Sequence, residues 1–304
     1  MRTGIDINKV KEILIDTPFK KYEVENITEG VSTDVFKLIY KDTYYLKILP
    51  QEDSLLAITL ANNLLLDLGV SVAKIEYTSE NNSTIDNRSF YIEKEIKGKS
   101  IKGDHTLSKQ QEEQILFEAG KDLAKINSIK VLGVGWIEGV KDNKLYSHGK
   151  TYDDFILRNM DSMLNQLSEN NILSSNQKKK IKDYIINNQN IINTNNTSFL
   201  AHGDFSINHI YSKNGKYSGI IDFGDIRGTS KYHDLGHFYT FSNSYFNSLE
   251  KGYSSEYKLS NNYMEIVEVE AVIFAVSKLW WISENRLQKT DNHPTLKLFE
   301  KIVY

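Results

Sequence analysis

Apolar residues near the start of the chain recur at helical spacing in "INKVKEILI", with Asn8 placed as an N-cap. The period then drops to two. "YEVENI", "DVFKLIY", "TYYLKIL", "KIEYTS" and "SFYIEKEI" are short, rich in β-branched and aromatic residues, and separated by "EGVSTD", "KDT" and "SENNSTIDN". They predict strands punctuated by turns. Between the third and fourth lies "SLLAITLANNLLLDLG", of helical length and closed by Gly69, a natural C-cap. The first stretch, 1–96, is therefore expected to be an antiparallel sheet carrying one main helix.

After "KGKSIKG" the period turns helical. "SKQQEEQILFEAGKDLAKIN" predicts an amphipathic helix with Ser108 and Glu112 as a loosely spaced cap, and "TYDDFILRNMDSMLNQLS" and "SSNQKKKIKDYIINNQNII" predict two more. "NNYMEIVEVEAVIFAVSKLWWISENR" predicts a long helix, whereas "VLGVGWIEGVKDNKLYSHG" shows no period and reads as an ordered loop. No internal repeat, heptad or linker interrupts the pattern. The expected architecture is α+β and bilobal, with a boundary at 96/97 and a larger, mostly helical unit over 97–304.

Composition changes this picture little. With 304 residues, 40% of them hydrophobic and 25% charged, the chain can bury the cores of two lobes. A net charge of −3 offers no basic surface for nucleic acid or anionic lipid. The absence of cysteine removes disulfides, thiolate metal sites and a Cys nucleophile. No signal peptide or membrane-spanning run is seen, so a cytoplasmic, monomeric protein is the expectation.

The chemistry concentrates in "LAHGDFSINHIYSKNGKYSGIIDFGDIRG". Asp204 follows a predicted strand in a tight turn with Gly203, and Asp222 comes eighteen positions later. Between them Asn214-Gly215 is a strong hairpin signal. Such a hairpin brings its outer ends together, and Asp204, His209 and Asp222 with them. One carboxylate can then accept a proton while the other grips a cation, the division of labour that phosphoryl transfer needs. Taken singly, each carboxylate also fits a turn residue that satisfies local N–H groups.

"HGDFSINHI" with "GIIDFGD" resembles the signature of the aminoglycoside phosphotransferases, antibiotic kinases with a protein-kinase-like fold, and especially their 2''-phosphotransferase branch. The resemblance implies that Asp204 is the catalytic base and that His209 and Asp222 hold Mg2+. Asn208 stays open as the competing ligand, because imidazole is a less typical partner for magnesium than oxygen. Asp234 in "KYHDLGHF" reads as a helix cap or hydrogen-bond anchor.

The N-terminal part is similar to the family's nucleotide lobe. "TEGVSTDVFKLIY" implies a phosphate loop with Gly30 and Ser32, and "YYLKILP" places Lys47 inside an apolar strand. An interior lysine needs an anion; a phosphate is the candidate, a solvent-facing position the alternative. "YIEKEIKG" resembles the hinge, with the backbone of Lys94 and Ile96 meeting the nucleobase and Gly98 allowing the turn. Two departures stand out. No acid occupies the helix position that pairs with the strand lysine in kinase-like folds, where Thr59 sits among apolar residues, and "DLAKIN" ends in Asn127 where many relatives carry His.

Acceptor recognition is the least legible part. Asp153, Asp154, Glu265, Glu268 and Glu270 are candidates for binding ammonium groups, or simply form a solvated acidic face. The function expected is a small-molecule kinase that uses ATP or GTP and phosphorylates a hydroxyl of an aminoglycoside or related antibiotic. The alternatives are another hydroxylated acceptor, such as a macrolide, hygromycin-like drug, choline or sugar, or a catalytically silent nucleotide-binding protein. No P-loop motif occurs, and no activation segment follows "DFGD".

Overall fold

The computed structural model describes residues 4–27, 33–153, 157–192, 198–285 and 293–303. Helix α1 (Ile7–Leu14) starts at Asp6, whose backbone is extended and whose carboxylate accepts the Asn8 N–H at 2.9 Å. The cap is thus Asp6, with Asn8 already inside the first turn. Val10, Ile13 and Leu14 of α1 are buried against one face of a five-stranded sheet.

That sheet is wholly antiparallel, ordered β1-β2-β3-β5-β4: β1 (Glu23–Ile27), β2 (Asp34–Ile39), β3 (Thr43–Ile48), β4 (Ile75–Asn82) and β5 (Arg88–Lys94). Because side chains alternate along a strand, Leu46 and Ile48 of β3 join Phe36, Leu38, Phe90 and Ile92 in the α1 core. Lys47, Tyr91 and Glu93 consequently project from the opposite face. Helix α2 (Leu55–Asp67), capped by Ser54, connects β3 to β4 and closes at Gly69 with φ +67°. Its Asn62 bonds the Ala73 carbonyl and the Ile75 N–H, fastening the helix to the start of β4.

Beyond β5 the short β6 (Lys99–Ser100) leads to α3 (Lys109–Ile126). Its cap is a reciprocal box between Ser108 and Gln111, not Glu112, because the box requires the third residue after the cap. The stretch expected as a loop instead holds β7 (Lys130–Val131), β8 (Gly135–Trp136), β9 (Gly139–Lys141) and β10 (Lys144–Tyr146). Helices α4 (Met160–Glu169) and α5 (Ser175–Ile192) precede β11 (Ser198–Ala201). The hairpin follows as β12 (Ile210–Lys213) and β13 (Lys216–Ile220), turned at Asn214 and Gly215, both with positive φ. Then come β14 (Arg227–Thr229), α6 (His233–Ser242), α7 (Phe246–Glu256), α8 (Tyr263–Asn285) and α9 (Pro294–Ile302). β7, β11, β14 and β8 form one small sheet, and β13, β12 and β6 another.

The two halves join at more than the chain connection after β5. Asp122 of α3 accepts the Ser71 N–H at 2.8 Å and the Tyr217 hydroxyl at 2.9 Å, while Ile220 N–H reaches the Ser71 carbonyl. Gly98, at φ +122°, runs so close to β12 that a Cβ there would meet the Ser212 carbonyl at 2.1 Å. No helix among the described residues is long and apolar enough to cross a membrane.

Candidate active site

The site is built on the turn that follows β11. Asp234, fully buried in the first turn of α6, accepts the N–H groups of His202 at 2.8 Å and Gly203 at 2.9 Å, and the Asn127 amide at 2.8 Å. It is a hydrogen-bond anchor, and Asn127 serves it where many relatives carry His. Gly203 has φ +85°, and a Cβ there would lie 2.0 Å from the Asp225 carbonyl, so no side chain fits this corner. Phe205 plugs the turn into the core, and Asp204 is left with its side chain 39% exposed. Burial raises the Asp204 carboxyl above its ordinary pKa, with His209 and Lys278 opposing the rise.

His209 closes the turn. Its Nδ1–H donates to the Asp204 carbonyl at 2.7 Å, which leaves Nε2 with a free lone pair. That Nε2 lies 3.6 Å from Oδ2 of Asp222, at the outer end of β13. Asp222 adopts φ 70°, ψ 61°, a left-handed conformation uncommon outside glycine and typical of functional turns. The hairpin therefore converges Asp204, His209 and Asp222. Among the described residues no group of three or more His, Asp or Glu side chains forms a metal cage. A two-ligand site suits Mg2+, which keeps waters and phosphate oxygens in its remaining positions. His209 and Asp222 fit such an ion by lone pair and charge. Asn208 is exposed, and its backbone N–H bonds Ser206.

Facing this turn from the sheet is Lys47. Its Nζ sits 2.8 Å from Glu93 Oε1, both side chains mostly buried. Burial alone would depress the ammonium, but Glu93, Tyr91 and Asp222 outweigh it, and Lys47 is held charged. The acid missing from α2 is thus supplied by β5. Register pairs Lys47 with Tyr91, so Glu93 is the diagonal neighbour on the same face. Alternation in "YIEKEI" was the signal available for it. Thr59, at the helix position, only bonds its own backbone at Leu55.

At the chain connection the Lys94 N–H is taken by the Lys74 carbonyl, so only its carbonyl side is left to a base. The Ile96 N–H has no intramolecular partner among the described residues. Gly30, Ser32 and Asp154 lie outside the described residues. On α8, Glu265 and Glu268 neighbour Tyr184 of α5, whose hydroxyl is pushed up to about 12 by burial and by these two acids. Glu265 is roughly half a helical circumference away from Phe274, the residue that packs beside the Asp204 turn through His237. Glu270 is fully buried, receiving hydrogen bonds from Tyr152 at 2.9 Å and from Ser230, with His233 Nδ1 at 3.0 Å, and presents nothing to a ligand. Two cations that sequence reasoning passed over stand nearer to Asp204. Lys278 lies one turn beyond Phe274, and Arg227 stacks its guanidinium 4.0 Å over Trp136 beside Gly203. Neither makes an ion pair among the described residues.

The model of the phosphotransferase enzyme family matches residues 23–265, the span that carries every one of these groups except Glu268, Glu270, Phe274 and Lys278. The chain belongs to this family. As a member it is an enzyme that transfers a phosphoryl group. No curated protein matches the sequence. Its structure is similar to that of the aminoglycoside phosphotransferase APH(4)-Ia, with a TM-score of 0.71 at 12% identity over 98% of each chain. It is similar also to APH(2")-IIa in its gentamicin complex, with a TM-score of 0.65 at 18% identity over 98% of this chain and 97% of that one. A third, APH(2")-IIa with streptomycin and ATP, gives 0.60 at 19% identity, covering 99% and 97%. These likenesses establish the kinase-like aminoglycoside phosphotransferase fold. Geometric likeness leans to the 4-type protein and sequence identity to the 2" type.

Proposed function

We propose that this phosphotransferase moves the γ-phosphoryl group of a nucleoside triphosphate to a hydroxyl of an aminoglycoside or related antibiotic. The observation that carries the reading is the convergence of Asp204, His209 and Asp222 at one end of the hairpin, opposite Lys47. In it, 1–96 is the nucleotide-binding lobe and 97–304 the catalytic and acceptor-binding lobe. Lys47, kept charged and aimed by Glu93, aligns the donor phosphates. Gly30 and Ser32 cover them, and the Lys94 carbonyl and Ile96 N–H meet the base. Asp204 orients the acceptor hydroxyl and takes its proton as the oxygen attacks phosphorus. His209 and Asp222 would hold Mg2+, which when bound would supply neutralising charge to the phosphates. Catalysis of this kind is mostly positioning and electrostatics.

ATP is the proposed donor, supported by the ADP, AMP-PNP and ATP complexes of the similar proteins; GTP is the other arm of a donor assay. The structures with hygromycin B, gentamicin and streptomycin support an antibiotic acceptor, for which Asp154, Glu265 and Glu268 are the proposed acidic contacts. Lys278 and Arg227 favour a second reading, in which the acceptor carries few ammonium groups, as a macrolide or sugar does. The catalytically silent alternative rested on the missing helix acid, and Glu93 removes that ground. Expression in a sensitive bacterium, with susceptibility measured for aminoglycosides, hygromycin B and macrolides, tests the proposal. Unaltered susceptibility to all, with no nucleotide turnover by the purified protein on any of them, refutes the antibiotic assignment.

A further inference from the structure

Among the described residues one basic side chain comes close to the Asp204 carboxylate, and it had no role read from the sequence although it lies in "KYHDLGHF". His237, in the middle of α6, brings Nε2 to 3.4 Å from Asp204 Oδ1. No described residue donates a hydrogen bond to that carboxylate, and His237 is the one described basic side chain whose nitrogen comes within 4.0 Å of it. The ring is 2% exposed and lies on Phe274, with centroids 3.7 Å apart, and beside Phe241 at 5.9 Å. Its other nitrogen, Nδ1, is buried without any partner.

These facts decide the protonation. Burial, with His233, Arg227, Lys278 and His202 around it, holds the His237 ring well below its ordinary pKa, so it is neutral. A neutral imidazole has one N–H and one lone pair. A lone pair on Nε2 would oppose those of the carboxylate, whereas a proton there would be attracted to Oδ1, 3.4 Å away. Nδ1 then becomes the orphan, in accord with its empty surroundings. An unsatisfied buried nitrogen is a cost that a Leu or Phe at this position would avoid. Separations somewhat long for a hydrogen bond are ordinary at catalytic pairs before substrate binds.

Position on the helix adds a second argument. Asp234 and His237 are three apart and share one face of α6. The first grips the backbone N–H groups of His202 and Gly203, the second reaches the carboxylate one residue on. We propose that His237 is a positioning residue whose Nε2–H holds Oδ1 of Asp204 and so turns Oδ2 toward the acceptor hydroxyl. This rests on the reading of Asp204 as the base.

The test compares His237→Leu, which removes the donor, with His237→Gln, whose amide nitrogen reaches about as far as Nε2. Turnover is measured with ATP and Mg2+ on whichever antibiotic the susceptibility profile identifies, or with water as acceptor if none does. The Leu variant should lose roughly 10- to 100-fold in kcat, the scale of a misplaced reacting group, at unchanged KM for ATP, and the Gln variant should recover most of it. An unaffected Leu variant, or a Gln variant as impaired as it, overturns the proposal. Should the Leu variant not fold, tautomer assignment by NMR of 15N-histidine-labelled protein decides, with the Gln variant identifying the resonance. A neutral ring protonated at Nε2 is expected, and protonation at Nδ1 overturns the idea. If Asp204→Asn keeps full turnover, the base assignment fails and the proposal with it. If that variant is dead while His237→Leu is normal, only the role of His237 fails.

Discussion

Lys47 and Glu93 meet across two neighbouring strands, Nζ to Oε1 at 2.8 Å, rather than across the seam between strand and helix. The acid is therefore fixed by sheet register and does not depend on where α2 lies. Glu93→Ala should lower stability by about 1–3 kcal/mol, the scale of a lost hydrogen bond to a charged, mostly buried group. Saturating ATP should return part of that loss, because phosphate replaces the carboxylate as the partner of Lys47. Thermal unfolding with and without nucleotide measures both. A variant that ATP does not stabilise more than the wild type argues against Lys47 as a phosphate ligand.

Asp204→Asn should reduce turnover by roughly 10²–10⁴, the range for loss of a general base. Nucleotide affinity, measured by calorimetry, should change little, since the role proposed for the carboxylate lies with the acceptor. Turnover near that of the wild type would refute the assignment.

Asp222→Ala should abolish the metal dependence of nucleotide binding. His209→Asn should raise activity with Mg2+ relative to Mn2+, because an amide oxygen replaces an imidazole that suits the softer ion better. The ratio of rates with the two metals is the readout. An unchanged ratio excludes Nε2 of His209 from the ion.

The Arg88–Asp34 pair is nearly inaccessible, at 6% on either side, with Nη1 3.1 Å from Oδ2. Arg88 also donates to the carbonyls of Leu49 and Ile48, tying the end of β3 to β5. Asp34→Ala strands a buried guanidinium and should cost about 3–5 kcal/mol, read from denaturant midpoints. A loss below 1 kcal/mol, by the same measure, would show that the arginine is held without Asp34.

His202, His237 and His293 all have pKa values lowered in the folded state, each first by burial. Below about pH 6.5 the unfolded chain therefore binds protons that the folded chain refuses, and stability falls with pH. The melting temperature of the metal-free protein should be higher at pH 7.5 than at pH 5.5. His237→Gln should flatten the difference, and an equally steep profile in that variant would show that His237 is not kept neutral.

Much of this was legible in the chain because it rests on local signals. Asn214-Gly215 dictates the hairpin, and the hairpin brings Asp222 back beside His209, whose ring ties it to the Asp204 turn. Alternation in "TYYLKIL" separates Leu46 and Ile48 from Lys47, so the lysine's face follows from the pattern. What stayed hidden depends on pairings between distant segments. Strands of two or three residues, such as Gly135–Trp136, are too short to display a period. His237 reads as one polar residue in a helix whose inner face is set only by packing on α8. The same holds for Glu265 and Glu270, which no periodicity in "MEIVEVEAV" distinguishes, although one flanks Tyr184 and the other is sealed under Tyr152.

The bond from His209 Nδ1 to the carbonyl of Asp204 links the proposed proton acceptor and the proposed cation ligand into a single mechanical part. Asp234 bolts that part to α6. Of the described side chains proposed to surround the phosphates, Lys47 rides on the opposite half. Displacing one half against the other would move Lys47 relative to that part without breaking the bonds within it.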